Sequence, residues 1–210
     1  MYKKVFISHS RHDPNLSFFK EIFAILPTES KWMELENIEP PPSLSIRREI
    51  NESDAVFVLL SEELVDLQHT SNWVSFEVGL AANHNLSEDA SGNNKEKQRL
   101  DVWVFEPLDK DIAFAVPYLT HYMRYYLAQE TTTWLRDRLR DSIPQNVGMP
   151  MECPYGDCRI AFNYLSRYYT DELSCPACRR SIHFHRSAKE VREVVETELT
   201  KLKEAGNNND

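Results

Sequence analysis

The chain has 210 residues, enough for one large domain, or for a medium domain with an appendage, to bury its own core. Hydrophobic residues make up 41% and charged residues 27%, the balance of an ordinary globular chain, and the formal net charge is −9. Divided at residue 150, the charges are 15 basic against 23 acidic before it and 9 against 10 after it, so neither part has the basic excess of a phosphate-backbone binder and no nucleic-acid partner is expected.

The opening "MYKKVFISHS" has no apolar h-region or cleavage signature, which argues against a signal peptide. No apolar run approaches the roughly 18 residues that a spanning helix needs, so no membrane partner is expected. A reducing, cytoplasmic setting is the default expectation. All four cysteines fall between 153 and 178, a clustering that suits a local metal site better than scattered disulfides.

In chain order, "KKVFIS" at 3–8 predicts a buried strand. "DPNLSFFKEIFAIL" predicts a helix with Asp13 as its cap, Pro14 at the first helical position, and Leu16, Phe19, Ile22 and Leu26 at helical spacing. "KWMELENI" reads as a second strand, running into "EPPPS", which can be neither helix interior nor central strand. "SLSIRREINESD" reads as a short helix. "AVFVLLS" at 55–61 is the clearest strand, apolar throughout, as expected where helices cover both faces of a sheet.

Helical periodicity covers Trp73–Ala82, and "NLSEDASGNNKEKQR" after it reads as a polar surface loop. "LDVWVFEP" is a further buried strand, "HYMRYYLA" an edge strand, and "TTTWLRDRLRDSI" an amphipathic helix. Strands alternating with helices predict a doubly wound, mostly parallel α/β sheet. "PQNVGMP" then punctuates the chain. A cysteine-bearing piece follows to about 186, then a helix, "SAKEVREVVETELTKLKEAG", and a disordered tail. The expected organisation is an α/β domain over 1–145, a metal ribbon over 146–186, and a C-terminal helix and tail over 187–210.

"CPYGDC" and "CPAC" place Cys153 and Cys158, then Cys175 and Cys178, at the spacing of a tetrahedral zinc site with four thiolate ligands. Gly156 is expected to permit the tight turn of the first arm. "RIAFNYLSRYY" should supply a strand or hairpin that folds over the metal. Two disulfides, a redox C-x-x-C or four inert thiols are the competing readings. A redox motif leaves the first pair unexplained. Four thiolates close the coordination sphere, so the zinc would be structural, and His183 and His185 read as surface residues.

"NWVSFEVGLA", 72–81, raises a separate question, because Glu77 stands in an otherwise apolar run. Spacing alone leaves open a solvent-facing glutamate, a buried one paired with Arg47 or Arg48, and a functional carboxylate on the helix face it shares with Trp73. "VFISHSRHD" resembles the first strand and loop of a TIR (Toll/interleukin-1 receptor) domain, especially its prokaryotic forms. "WMELENIEPPPS", "AVFVLLS" after "NESD", and "NWVSFE" sit where that family has its second-strand loop, third strand and following helix. The likeness covers roughly residues 1–140.

That resemblance implies a flavodoxin-like parallel sheet flanked by helices. It also implies cleavage of NAD+ with Glu77 as the catalytic residue, giving nicotinamide and ADP-ribose or a cyclic ADP-ribose. His9, Ser10, Arg11, Glu36 and Trp73 match substrate-contacting positions, Arg11 facing the pyrophosphate and Trp73 stacking on a ring. His9 as a plain loop residue and Trp73 as a core side chain are the structural alternatives. The loop after the second strand departs from the family, with Pro40, Pro41 and Pro42 in place of the usual glycine. The family also implies a homo-oligomer through TIR–TIR contacts. It contains noncatalytic members too, which would make this chain an interaction module whose ribbon recruits a partner. There is no glycine-rich phosphate fingerprint, so a Rossmann dehydrogenase is not expected.

Overall fold

The computed structural model describes residues 2–10, 13–24, 29–32, 42–89, 100–110, 112–126, 133, 148–166 and 172–183. Its centre is a seven-stranded sheet made of β1 (Lys4–Ser8), β2 (Glu29–Trp32), β3 (Ala55–Leu59), β4 (Asp101–Pro107), β5 (His121–Tyr125), β6 (Met149–Glu152) and β7 (Ala161–Ser166), in the order β2-β1-β3-β4-β5-β7-β6. Every neighbouring pair is parallel except β6–β7. A separate antiparallel pair joins β8 (Glu172–Ser174) to β9 (Ser181–His183).

Every residue of β3 and β4 is buried. The sequence encodes β3 as an unbroken apolar run, AVFVL, and β4 as the apolar run VWVF between two buried acids, Asp101 and Glu106. Helix α1 (Leu16–Ala24) begins two residues beyond the start expected at Pro14, and in the turn before it the Asp13 carboxylate accepts the Asn15 amide at 2.8 Å. Phe19 and Phe23 of α1 pack on Phe105 and Phe57, with Phe23–Phe57 centroids 5.4 Å apart. Helix α2 (Pro42–Asn51) starts on a proline, whose missing N–H costs nothing in a first turn. Short α3 (Glu63–Asp66) precedes α4 (Gln68–Asp89).

Glu77 of α4 reaches Ser8, the register partner of Val58, while α1 meets Phe57. Successive strand residues face opposite sides, so α1 and α4 cover opposite faces of the sheet. This is the doubly wound α/β arrangement.

The structure departs from the sequence expectations at several points. β2 lies at Glu29–Trp32, upstream of most of "KWMELENI". α4 continues to Asp89 into the stretch expected to be a loop, since Ala82–Asp89 contains no glycine or proline and a polar composition alone does not end a helix. β5 is interior, not an edge, flanked by β4 and β7. Two of its polar side chains find contacts inside the sheet: Arg124 Nη2 donates to the carbonyls of Pro107, Leu108 and Lys110 at 3.2–3.3 Å, and His121 stacks on Trp103 at 4.1 Å. Burial pushes His121 down to about 4, so its ring is neutral.

The 149–166 hairpin extends the main sheet across the expected 145/146 boundary, with β7 pairing directly to β5. The helices expected at 131–143 and 187–206 lie outside the described residues, apart from Thr133. Among the described residues, no helix is long and apolar enough to cross a membrane.

Candidate functional site

Two sites emerge, one at the carboxyl end of β1 and one at the four cysteines. Glu77 is only 6% exposed. The Ser8 hydroxyl, on the last residue of β1, donates to its Oε2. Burial pushes the carboxyl up to about 7, and the Ser8 hydrogen bond only partly opposes this. Of the readings left open by spacing, the solvent-facing one is therefore excluded. The bonded partner is a neutral serine, not Arg47 or Arg48.

Beyond β1, Ser10 is fully buried and its hydroxyl donates to Glu63 of α3 at 2.8 Å. His9 turns Nδ1 toward the Ser10 carbonyl at 2.9 Å, a local contact in keeping with a loop-forming role. Glu63 also lines a cleft of about 390 Å³ with Pro14, Ser61, Asp66, Pro107 and Lys110. Open α/β sheets present such clefts at the carboxyl ends of their strands. Trp73 is half-buried against the core and donates Nε1–H to His69 Nε2 at 3.1 Å, so it is not a fully buried core ring. Arg11 and Glu36 lie outside the described residues. The structure thus gathers Ser8, Ser10, Glu63 and Glu77 around one strand end. Glu63 was not foreseen, because an exposed-looking "SEELVD" turn carries no periodic signal.

The four cysteines converge. Cys153 and Cys178 Sγ are 3.7 Å apart, Cys158 and Cys175 Sγ 3.9 Å, and all four sulfurs lie within 4.8 Å of one another. A disulfide requires about 2.05 Å, whereas a regular tetrahedron with Zn–S near 2.3 Å has edges of about 3.8 Å. All four thiols are free, and Cys153 and Cys175 are buried. The set could bind a metal ion such as zinc. Burial pushes both Cys175 and Cys178 up and takes Cys175 to about 12. At Cys178 it is outweighed by hydrogen bonds, the Arg180 Nε–H at 3.4 Å among them, and that thiol sits at about 6. His183 is exposed and outside the sulfur cluster, as expected, and His185 is not among the described residues.

Gly156 lies in the turn of the first arm but does not take a left-handed φ there. The left-handed residues are Arg159 (φ 47°) and Arg179 (φ 58°), each directly after the second cysteine of its arm. The Arg179 amide closes the second arm on the Cys175 carbonyl at 2.8 Å. The Arg179 side chain forms a two-point pair with Glu106, which is 0% exposed at the end of β4. The Tyr122 hydroxyl also donates to Glu106. This network escaped sequence reading, although its signal was present. "VWVFEP" carries a carboxylate in a buried strand, which demands a partner just as Glu77 does.

The chain matches no protein-family model and no curated protein.

Proposed function

We propose that the chain is a TIR-type NAD+ glycohydrolase or cyclase that cleaves the nicotinamide–ribose bond, with Glu77 as its catalytic carboxylate. The observation that carries this reading is the placement of Glu77: a nearly inaccessible carboxyl bonded to Ser8 at the carboxyl end of β1, with its proton affinity raised by burial. Buried carboxyls with perturbed titration at strand ends are candidates for chemistry. The resemblance of "VFISHSRHD" and "NWVSFE" to TIR enzymes supplies the reaction.

One carboxylate suffices for this leaving group. Ordinary glycosidases need a second, acidic group to protonate an alkoxide. The pyridinium of NAD+ departs as neutral nicotinamide, taking the bonding pair of the C1′–N bond. What remains is an oxocarbenium-like ribosyl centre that an anion in an apolar surround can stabilise. Water or an adenine nitrogen then captures it, giving ADP-ribose or a cyclic product. Ser10, Arg11, His9, Glu36 and Trp73 are assigned to substrate contact through the same resemblance.

Zinc on Cys153, Cys158, Cys175 and Cys178 is a structural ion in this reading, since four protein ligands leave no open position. Self-association through TIR–TIR contacts would complete the site, so specific activity is expected to rise with enzyme concentration. The deciding assay incubates purified protein with NAD+ and measures nicotinamide by chromatography. Turnover that Glu77→Gln abolishes supports the enzyme. Absence of nicotinamide at high protein concentration sinks it in favour of a noncatalytic interaction module.

A further inference from the structure

Arg179 holds a left-handed backbone that side-chain-bearing residues seldom adopt, and what it achieves there is delivery of its guanidinium into the sheet. Nη2 lies 2.7 Å from Glu106 Oε1 and Nη1 lies 3.1 Å from Oε2. Glu106 also takes the Tyr122 hydroxyl of β5 and the Ile112 amide, the latter at 3.2 Å. A second tie runs from the same cysteine arm: the Pro176 carbonyl accepts the Val116 amide at 2.9 Å. A fully buried carboxylate is tolerated when a cation and hydrogen bonds replace its water, and removal of that cation leaves it uncompensated. Here the cation stands one residue beyond Cys178, on a turn whose shape depends on two sulfurs meeting two from the other arm.

We propose that the four-cysteine centre is a metal-dependent latch on the α/β sheet: an ion bound by the four thiolates holds Arg179 on Glu106, and its release withdraws that cation from the ends of β4 and β5. The latch rests on the metal reading of the cysteines and is independent of NAD+ cleavage. Because Pro107 and Ile112 line the cleft with Glu63, and Glu63 bonds Ser10, loss of the ion loosens one wall of the candidate site as well. The ribbon then acts inward on its own chain.

Hydrogen exchange read by mass spectrometry tests this on the full chain, before and after treatment with a strong chelator, with metal content measured by elemental analysis. Release of the ion is expected to speed exchange about tenfold or more in β4 and β5 as well as in the cysteine arms. Glu106→Gln keeps one accepting oxygen, for Ile112 or Tyr122 but not both, and removes the charge that needs Arg179, so chelation should then change β4 and β5 several-fold less than in the parent. If that single variant does not fold, Glu106→Gln combined with Arg179→Gln gives the same comparison. An ion that leaves while β4 and β5 stay as protected as before overturns the latch and leaves the metal site standing. A purified chain with no ion and with β4 and β5 fully protected overturns both.

Discussion

At the scale of single residues, Glu77 sets function against stability. Its carboxyl is raised from 4.5 to about 7 by burial, so the folded chain holds the proton more tightly than the unfolded one. Stability from this group is therefore full below about pH 4.5 and is lost as pH rises to about 7. The cost above that range is about 3 kcal/mol, from the size of the shift at 1.36 kcal/mol per unit. Glu77→Gln keeps an acceptor for Ser8 and removes the buried charge. It should raise Tm at pH 8 and leave it nearly unchanged at pH 4, which thermal melts at the two pH values would check. If Glu77 acts as an anion, the same substitution should lower NAD+ turnover by about 10²–10⁴, the scale of one positioned catalytic group. The parent's kcat/KM should then climb between pH 6 and 8 as the carboxyl ionises. A flat profile would remove Glu77 from the mechanism.

At the scale of elements, the start of α1 rests on one carboxylate. Asp13 holds the turn before the helix through the Asn15 amide while lying buried, and burial pushes it up to about 6, with Glu63 nearby acting in the same direction. Asp13→Ala should cost about 1 kcal/mol, the scale of a lost cap, read as a lower urea midpoint. Asp13→Asn keeps the acceptor without the desolvated charge, so at pH 8 it should match or exceed the parent. A loss as large as that of alanine would show that the charge itself matters. α4 makes a related point. Its apolar positions Val74, Val78 and Ala81 bury one side, and the helix then runs on to Asp89 where a loop was expected.

At the scale of the molecule, the cysteine-bearing segment completes the sheet. β7 covers the edge that β5 would otherwise expose, with Tyr122 paired to Tyr164 and Met123 to Leu165. Truncation at residue 145, the expected domain boundary, would bare an unpaired apolar strand, and such edges aggregate. The 1–145 fragment should scatter light at micromolar concentration where the full chain does not. A monodisperse, folded fragment would make the hairpin dispensable. The metal reading also has a whole-molecule readout of about one zinc per chain by elemental analysis. Zinc-free protein with disulfides formed would end it.

Local chemistry was legible in the chain itself. Asp13-Pro14 announced α1, the apolar runs announced β1, β3 and β4, and the two cysteine pairs announced their own convergence, because each signal depends on neighbours a few residues apart. Glu77 was legible as an anomaly, an acid in an apolar stretch, but not its partner Ser8, 69 residues away. Glu106 and Arg179 stand 73 residues apart, and β5 and β7 meet only after the chain has passed through the 127–147 segment. Periodicity reports which face of an element is buried and says nothing about what lies against it. Pairings across such separations are settled by burial of charge and completion of backbone hydrogen bonds, which exist only once the sheet has assembled.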